Sequence, residues 1–219
     1  MNTLSNHPRK RGFTLVELLV VIAIIVLLGV LTIPALSSIM ISYNLGNTAQ
    51  AISGQLNYAR QSALTSNDAI QVRFYQIADA VNPSRMTYRA VQCYQETDNG
   101  TIPLTKPNIF PPGIVISSNI GVSTLLDQST AGFGISPTTG GFATGPLLPL
   151  TQNANYLYFR YRPNGQTDLT PSVGANGTPV SPCITCYSET APIVANNLPA
   201  NYVVLQLDVI NGTVRTFQP

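Results

Sequence analysis

One acidic residue, Glu17, stands inside an otherwise apolar run, GFTLVELLVVIAIIVLLGVLTI, which follows the basic triplet Arg9, Lys10 and Arg11. A carboxylate is costly to hold among apolar neighbours, and one kept there asks for a positive partner. The plainer alternative is that Glu17 snorkels to the edge of an apolar layer. A second group is CITC, where Cys183 and Cys186 have the spacing of a redox motif or half a zinc site, with Cys93 far upstream. A zinc ribbon needs a second such pair, which is lacking, and a redox thiolate needs a helix start after it, which YSETAP does not resemble. Outside the cytoplasm a structural disulfide is the simpler expectation, most directly Cys183–Cys186, with Cys93–Cys183 and Cys93–Cys186 left open.

Arg160, Arg162 and Arg215, with Tyr158 and Tyr161, have the residue types that grip single-stranded DNA, although an ordinary exposed strand face contains the same types. The aspartates Asp79, Asp98, Asp127, Asp168 and Asp208 are scattered, without calcium-loop spacing. No GxSxG, phosphate-loop or paired-carboxylate pattern occurs, so the sequence reads as non-enzymatic, with no cofactor and no metal. NGT occurs at Asn99, Asn176 and Asn211 without a fixed period and reads as turns rather than repeats.

The 219 residues suffice for one modest domain plus an extra element, and the charged fraction is only 9%. The formal charge of +2 is misleading, because three of the 11 basic residues precede Gly12. From Phe13 onward eight basic residues face nine acidic ones, which leaves no overall attraction for nucleic acid. The sole histidine, His7, also precedes Gly12, so a form lacking residues 1–12 has no imidazole for a catalytic triad or a zinc site.

The elements that must position Glu17 follow from hydropathy. Phe13 to Ile33 is apolar except for Thr14, Glu17, Gly29 and Thr32. At ~1.5 Å per residue such a helix matches the ~30 Å core of a bilayer. Three cations precede it and none follows before Arg60, which predicts a cytoplasmic N-terminus and everything after the span outside. A secretory signal has a shorter apolar core and a small-residue cleavage site after it, and a plain signal anchor leaves Glu17 unexplained. Beyond Pro34 the pattern turns one-sided, with Ile52, Leu56, Ala59 and Ala63 at helical spacing. One long helix is expected from about Thr14 to Ser66, with Pro34 and Gly46 as points of bend and SNDA as its stop. Strands are expected at residues 70–77, 86–94, 113–117 and 156–162. A hairpin is expected over 202–217, with Asn211-Gly212 as a two-residue turn of positive φ. Residues 119–155 and 163–200 read as long loops.

RGFTLVELLVVIAII resembles the N-terminal signature of type IV prepilins and type II secretion pseudopilins. The resemblance implies that a membrane peptidase cuts after Gly12 on the cytoplasmic side and that Phe13 becomes the N-methylated terminus. It makes Glu17 the glutamate at the fifth mature position and Pro34 the helix-bending proline. The amine released on Phe13 would lie one turn from Glu17, and in a fibre the glutamate of an incoming helix would meet the amine of its neighbour. LNYARQSALTSNDAIQVRF, YFRYRPNGQTD and VVLQLDVINGTVRTF are similar to the GspH/FimT minor pseudopilin branch.

The expectation is therefore an α+β, pilin-like fold: a leader at 1–12, a transmembrane helix at 13–34, an amphipathic continuation at 35–66 and a β-rich head at 67–219 outside the bacterial inner membrane. Its expected partners are the prepilin peptidase and methyltransferase, other pilins or pseudopilins in a fibre, and the inner membrane. The alternatives are a FimT-like DNA-binding minor pilin and a signal-anchored exported binding protein or enzyme.

Overall fold

A Thr-x-x-Glu sequence ahead of an apolar run is a helix start, and helix α1 (Leu15–Ser66) begins directly after Thr14. The computed structural model describes residues 13–78, 84–119, 121–127, 133–138, 154–173, 179–190 and 198–218, with side chains at 31–37, 138, 172, 173 and 179 excepted. Residues 1–12, including Gly12, lie outside that set, as does the side chain of Pro34. The chain divides into two units, Met1–Met40 and Ile41–Pro219, and α1 enters both. The helix is continuous in its backbone through Pro34 and Gly46.

Among the described residues no helix is long and apolar enough to cross a membrane. The first run of described apolar side chains in α1 stops at Val30, after 16 helical residues, whereas a span needs ~20. The sequence itself stays apolar, Thr32 aside, through Ile33.

In the second unit the helix lies on a sheet. Leu45, Ala49, Ile52, Leu56, Ala59 and Ala63 are buried at alternating steps of four and three, a single stripe. Three of these six are alanines, whose small side chains let the helix approach the strands closely. Asn67, at φ 60°, ends the helix in the left-handed conformation that asparagine tolerates better than most residues. The sequence then turns to alternating apolar residues and extends as strands.

Those strands are β1 (Ile70–Ala78), β2 (Met86–Thr97), β3 (Gly100–Pro103), β4 (Asn108–Ile109), β5 (Ile114–Ile116), β6 (Ser136–Thr138), β7 (Tyr156–Tyr161), β8 (Ser172–Val173), β9 (Pro179–Val180), β10 (Cys183–Ser188), β11 (Tyr202–Leu207) and β12 (Val214–Phe217). Among the described residues ten of them form one antiparallel sheet in the order β12-β11-β10-β5-β2-β1-β7-β6, with β3 and β4 also on β2. β8 and β9 pair separately. Strand β2 organises the sheet: one edge pairs with β1 along its length, and the other is shared by β5, β4 and β3. A bulge at Arg89 in β2 lets Tyr88, Val91 and Cys93 all reach the core under the helix. The α+β architecture expected from the sequence is the one found.

Two expectations need correction. Residues 119–155 and 163–200 are not two long loops, because β6 lies within the first and pairs with β7, and β10 lies within the second and pairs with both β5 and β11. The chain between β11 and β12 is not a two-residue turn either, since Leu207 pairs with Val214 and six residues intervene. Only Gly212 has positive φ there, at 65°. The reason is Asp208, whose carboxylate accepts the backbone N–H groups of Ile210 (2.9 Å) and Asn211 (3.0 Å). The turn is wound like one helical turn and closed by Gly212 N–H on Asp208 O at 2.8 Å.

Candidate functional site: the N-terminal helix and the outer sheet face

At the helix start the Thr14 hydroxyl accepts the Glu17 N–H at 3.2 Å, and Thr14 O accepts the Leu18 N–H at 3.2 Å. Thr14 is thus the N-cap and Glu17 the third helical residue, in the positive field of the unpaired N–H groups. The sequence reading had passed over Thr14, although the spacing of Thr14 and Glu17 is the signal of a capping box. The Glu17 carboxylate has no hydrogen-bond or ion-pair partner among the described residues. Around it, the large apolar side chains from Leu15 to Val30 are 46–79% exposed on every side of the helix, as is Phe13 at 75%. An apolar surface that continuous needs lipid or other chains to cover it.

The three arginines singled out in the sequence do not make one patch. Arg160 lies on the sheet face away from the helix, where its Nε is 2.9 Å from Glu96 and 3.9 Å from Asp168. Its guanidinium stands 5.6 Å from the Tyr158 ring. Burial pushes the Asp168 carboxyl above its ordinary value, against the pull of the Arg160 backbone N–H and charge. Arg162 is exposed and lines a cavity of about 310 Å³ with Asp168 and Ile210. Arg215 lines a different one, about 140 Å³, with Asp208 and Thr213. Tyr161 points the other way, fully buried in the core, and its hydroxyl donates to Gly212 O at 3.2 Å. It therefore offers no ring for a base to stack on. Arg160 and its two acids together leave no excess positive charge.

The same outer face holds a group that the sequence reading missed. Arg73, buried in β1, is sandwiched between the rings of Tyr94 at 3.8 Å and Tyr156 at 4.8 Å. Its guanidinium donates to Gln71 Oε1 at 2.7 and 2.9 Å and to Thr101 Oγ1 at 2.9 Å. Tyr75, Ala90, Tyr94 and Tyr156 form a second core cluster there. Only the register of three strands brings these residues together. A single strand read by itself presents Gln71 and Arg73 as a solvent face.

The cysteines are free thiols, so the expected disulfide is absent. Cys183 and Cys186 lie three residues apart in extended β10 and face opposite sides of the sheet. Their Cα atoms are then about 10 Å apart, beyond the ~7 Å limit for a bridge. Cys186 and Cys93 are buried, which pushes each thiol up to about 12. Cys183 is half-buried, with its sulfur 3.4 Å from Thr124 Oγ1. Among the described residues no cluster of His, Cys, Asp and Glu is suited to hold a metal ion.

Residues 7–33 match the family described as the prokaryotic N-terminal methylation motif. The match takes in the Gly12–Phe13 junction and Glu17 and covers the N-terminal segment alone. Two structures of the minor pseudopilin EpsH from the type 2 secretion system of Vibrio cholerae are similar to it. One is 12% identical, covering 80% of this chain and 98% of that one, with a TM-score of 0.42. The other is 15% identical, covering 81% and 96%, with a TM-score of 0.38. Both likenesses are too low to carry a role across. No curated protein matches the chain.

Proposed function

We propose that this chain is a minor prepilin-like structural subunit of a type II secretion pseudopilus or a type IV pilus-like fibre. It is cut after Gly12, N-methylated at Phe13 and anchored by the apolar part of α1 in the inner membrane, with the β-rich head outside. The observation that carries this reading is the stretch of α1 from Leu15 to Val30, apolar and exposed all round, which starts at a capped turn whose Glu17 carboxylate has no partner among the described residues. Lipid covers that stretch before assembly and neighbouring helices cover it in the fibre. Glu17, without a partner among the described residues, is supplied with one by the amine that cleavage creates on Phe13. In low dielectric an aligned pair is favoured and a misaligned helix leaves two charges unpaired. The partners on this reading are a prepilin peptidase and methyltransferase, then other pilins or pseudopilins.

Intact-mass measurement of the chain from membranes tests the processing step. The expected product lacks residues 1–12 and carries one added methyl group, and Gly12→Asp abolishes both changes. A full-length, unmethylated wild-type chain in a host with an active prepilin peptidase overturns the proposal.

A further inference from the structure

Three Asn-Gly pairs fall among the described residues, and the fold treats them unequally. Asn164 is held at both ends of its amide: Nδ2 donates to Gln166 Oε1 at 3.0 Å, and Oδ1 accepts the Gln166 N–H at 3.0 Å. Gly165 N–H donates to Arg162 O at 2.8 Å, and a Cβ on Gly165 would sit 3.1 Å from Leu64. Asn211 is held as firmly, with Nδ2 on Asp208 Oδ2 at 3.0 Å and its carbonyl accepting Arg60 Nε at 2.7 Å. Gly212 is wedged against Gly165 and Tyr161, with its N–H on Asp208 O.

Asn99-Gly100 differs on every count. It forms the exposed tip between β2 and β3, where Thr97 pairs with Gly100. The Asn99 amide has no hydrogen-bond partner among the described residues. Outside the neighbouring residues no described atom lies within 4 Å of where a Gly100 Cβ would be, so the tip is uncrowded there. The hairpin is rooted at Thr101, which Arg73 holds at 2.9 Å, but β3 has only four residues and no second neighbour among the described residues. Such a tip opens far more readily than a turn packed on a helix.

We infer that Asn99 is a site of spontaneous, structure-selected deamidation, at which the fold protects Asn164 and Asn211 and leaves Asn99 reactive. The Gly100 backbone nitrogen attacks Asn99 Cγ. The N–Cγ bond forms, the Cγ–Nδ2 bond breaks, and ammonia leaves with the proton from the Gly100 N–H. Water then opens the resulting five-membered imide at either carbonyl, giving aspartate or isoaspartate. No enzyme, oxidant or cofactor enters. The product sets a second carboxylate beside Asp98, and the isoaspartate form lengthens the backbone at the Thr97–Gly100 pair.

The test is incubation of the full chain in detergent at mildly alkaline pH, followed by peptide mass mapping at intervals. A parallel sample is kept unfolded in denaturant. The folded chain should gain the mass of an acid over its amide at Asn99 about tenfold or more faster than at Asn164 or Asn211, because reaction from an open state follows the open population. In denaturant the three rates should converge, and Asn99→Gln should remove the early product. If the folded chain reacts at Asn164 or Asn211 as fast as at Asn99, or keeps Asn99 intact while the unfolded chain loses it, the inference is wrong.

Discussion

Asp208 shows how much one side chain decides in this head. Its carboxylate is held below the ordinary aspartate value by the Asn211 backbone N–H first, with the Asn211 amide, the Ile210 N–H and the Arg215 charge helping against some burial. A lowered folded value means that its stabilising contribution is complete above the unfolded value and is lost as pH falls through the folded one. Urea midpoints of wild type and Asp208→Asn should therefore differ most near neutral pH and converge in acid below the normal carboxylate range. Asp168 has the opposite sign: burial raises it, so protonation favours the folded form there. Gly212 is the steric counterpart. A Cβ there would lie 2.3 Å from Gly165 O at a φ of 65°, so Gly212→Ala should cost about 2 kcal/mol or more by chemical denaturation. A third residue prediction concerns Glu189, which pairs with the nearly buried Arg89 and lies 2.9 Å from Arg85. Glu189→Gln removes the carboxylate that Arg89 and Arg85 share and should destabilise by about 3 kcal/mol, seen in the same measurement.

Among the elements, α1 and β10 carry the clearest expectations. Thr14→Ala removes the cap and should weaken the first turn by about 1 kcal/mol, read as faster hydrogen exchange at the amides of Glu17 and Leu18, while Thr14→Asp retains protection. Strand β10 forbids a Cys183–Cys186 bridge as long as it stays extended. Alkylation of the denatured, non-reduced chain should leave no peptide linking those two residues, and finding one would mean that β10 is not a strand in the cell. This strand was hidden in the sequence for a plain reason. CITCYS is short, lies between proline-rich segments and has buried residues on both of its faces, so it lacks the polar-apolar alternation that marks a half-exposed strand.

For the whole molecule, the proposed assembly into a fibre turns on the uncovered apolar stretch of α1 and on Glu17. Glu17→Ala and Glu17→Gln chains should still enter the membrane, because the apolar run is intact. They should be depleted from sheared filaments relative to wild type, with co-purification as the readout. Equal incorporation leaves α1 as a passive tether. The described residues of the head contribute no rival site of comparable standing. Its three candidate DNA-contact arginines are dispersed, and Arg160 is already neutralised by Glu96 and Asp168.

The amino-acid sequence alone determined the helix, its cap and its stop, the strands β1, β2, β5, β7, β11 and β12, and the processing motif. Each is a local pattern: the period of apolar residues, a turn residue, a spacing of a few positions. Tertiary structure alone decided the pairing of β10, the sandwich of Arg73 between Tyr94 and Tyr156, the ion pairs of Arg160 and the inward turn of Tyr161. These depend on the register of strands up to a hundred residues apart in the chain, and a register is chosen by the summed burial of the whole sheet, which no short window of sequence contains.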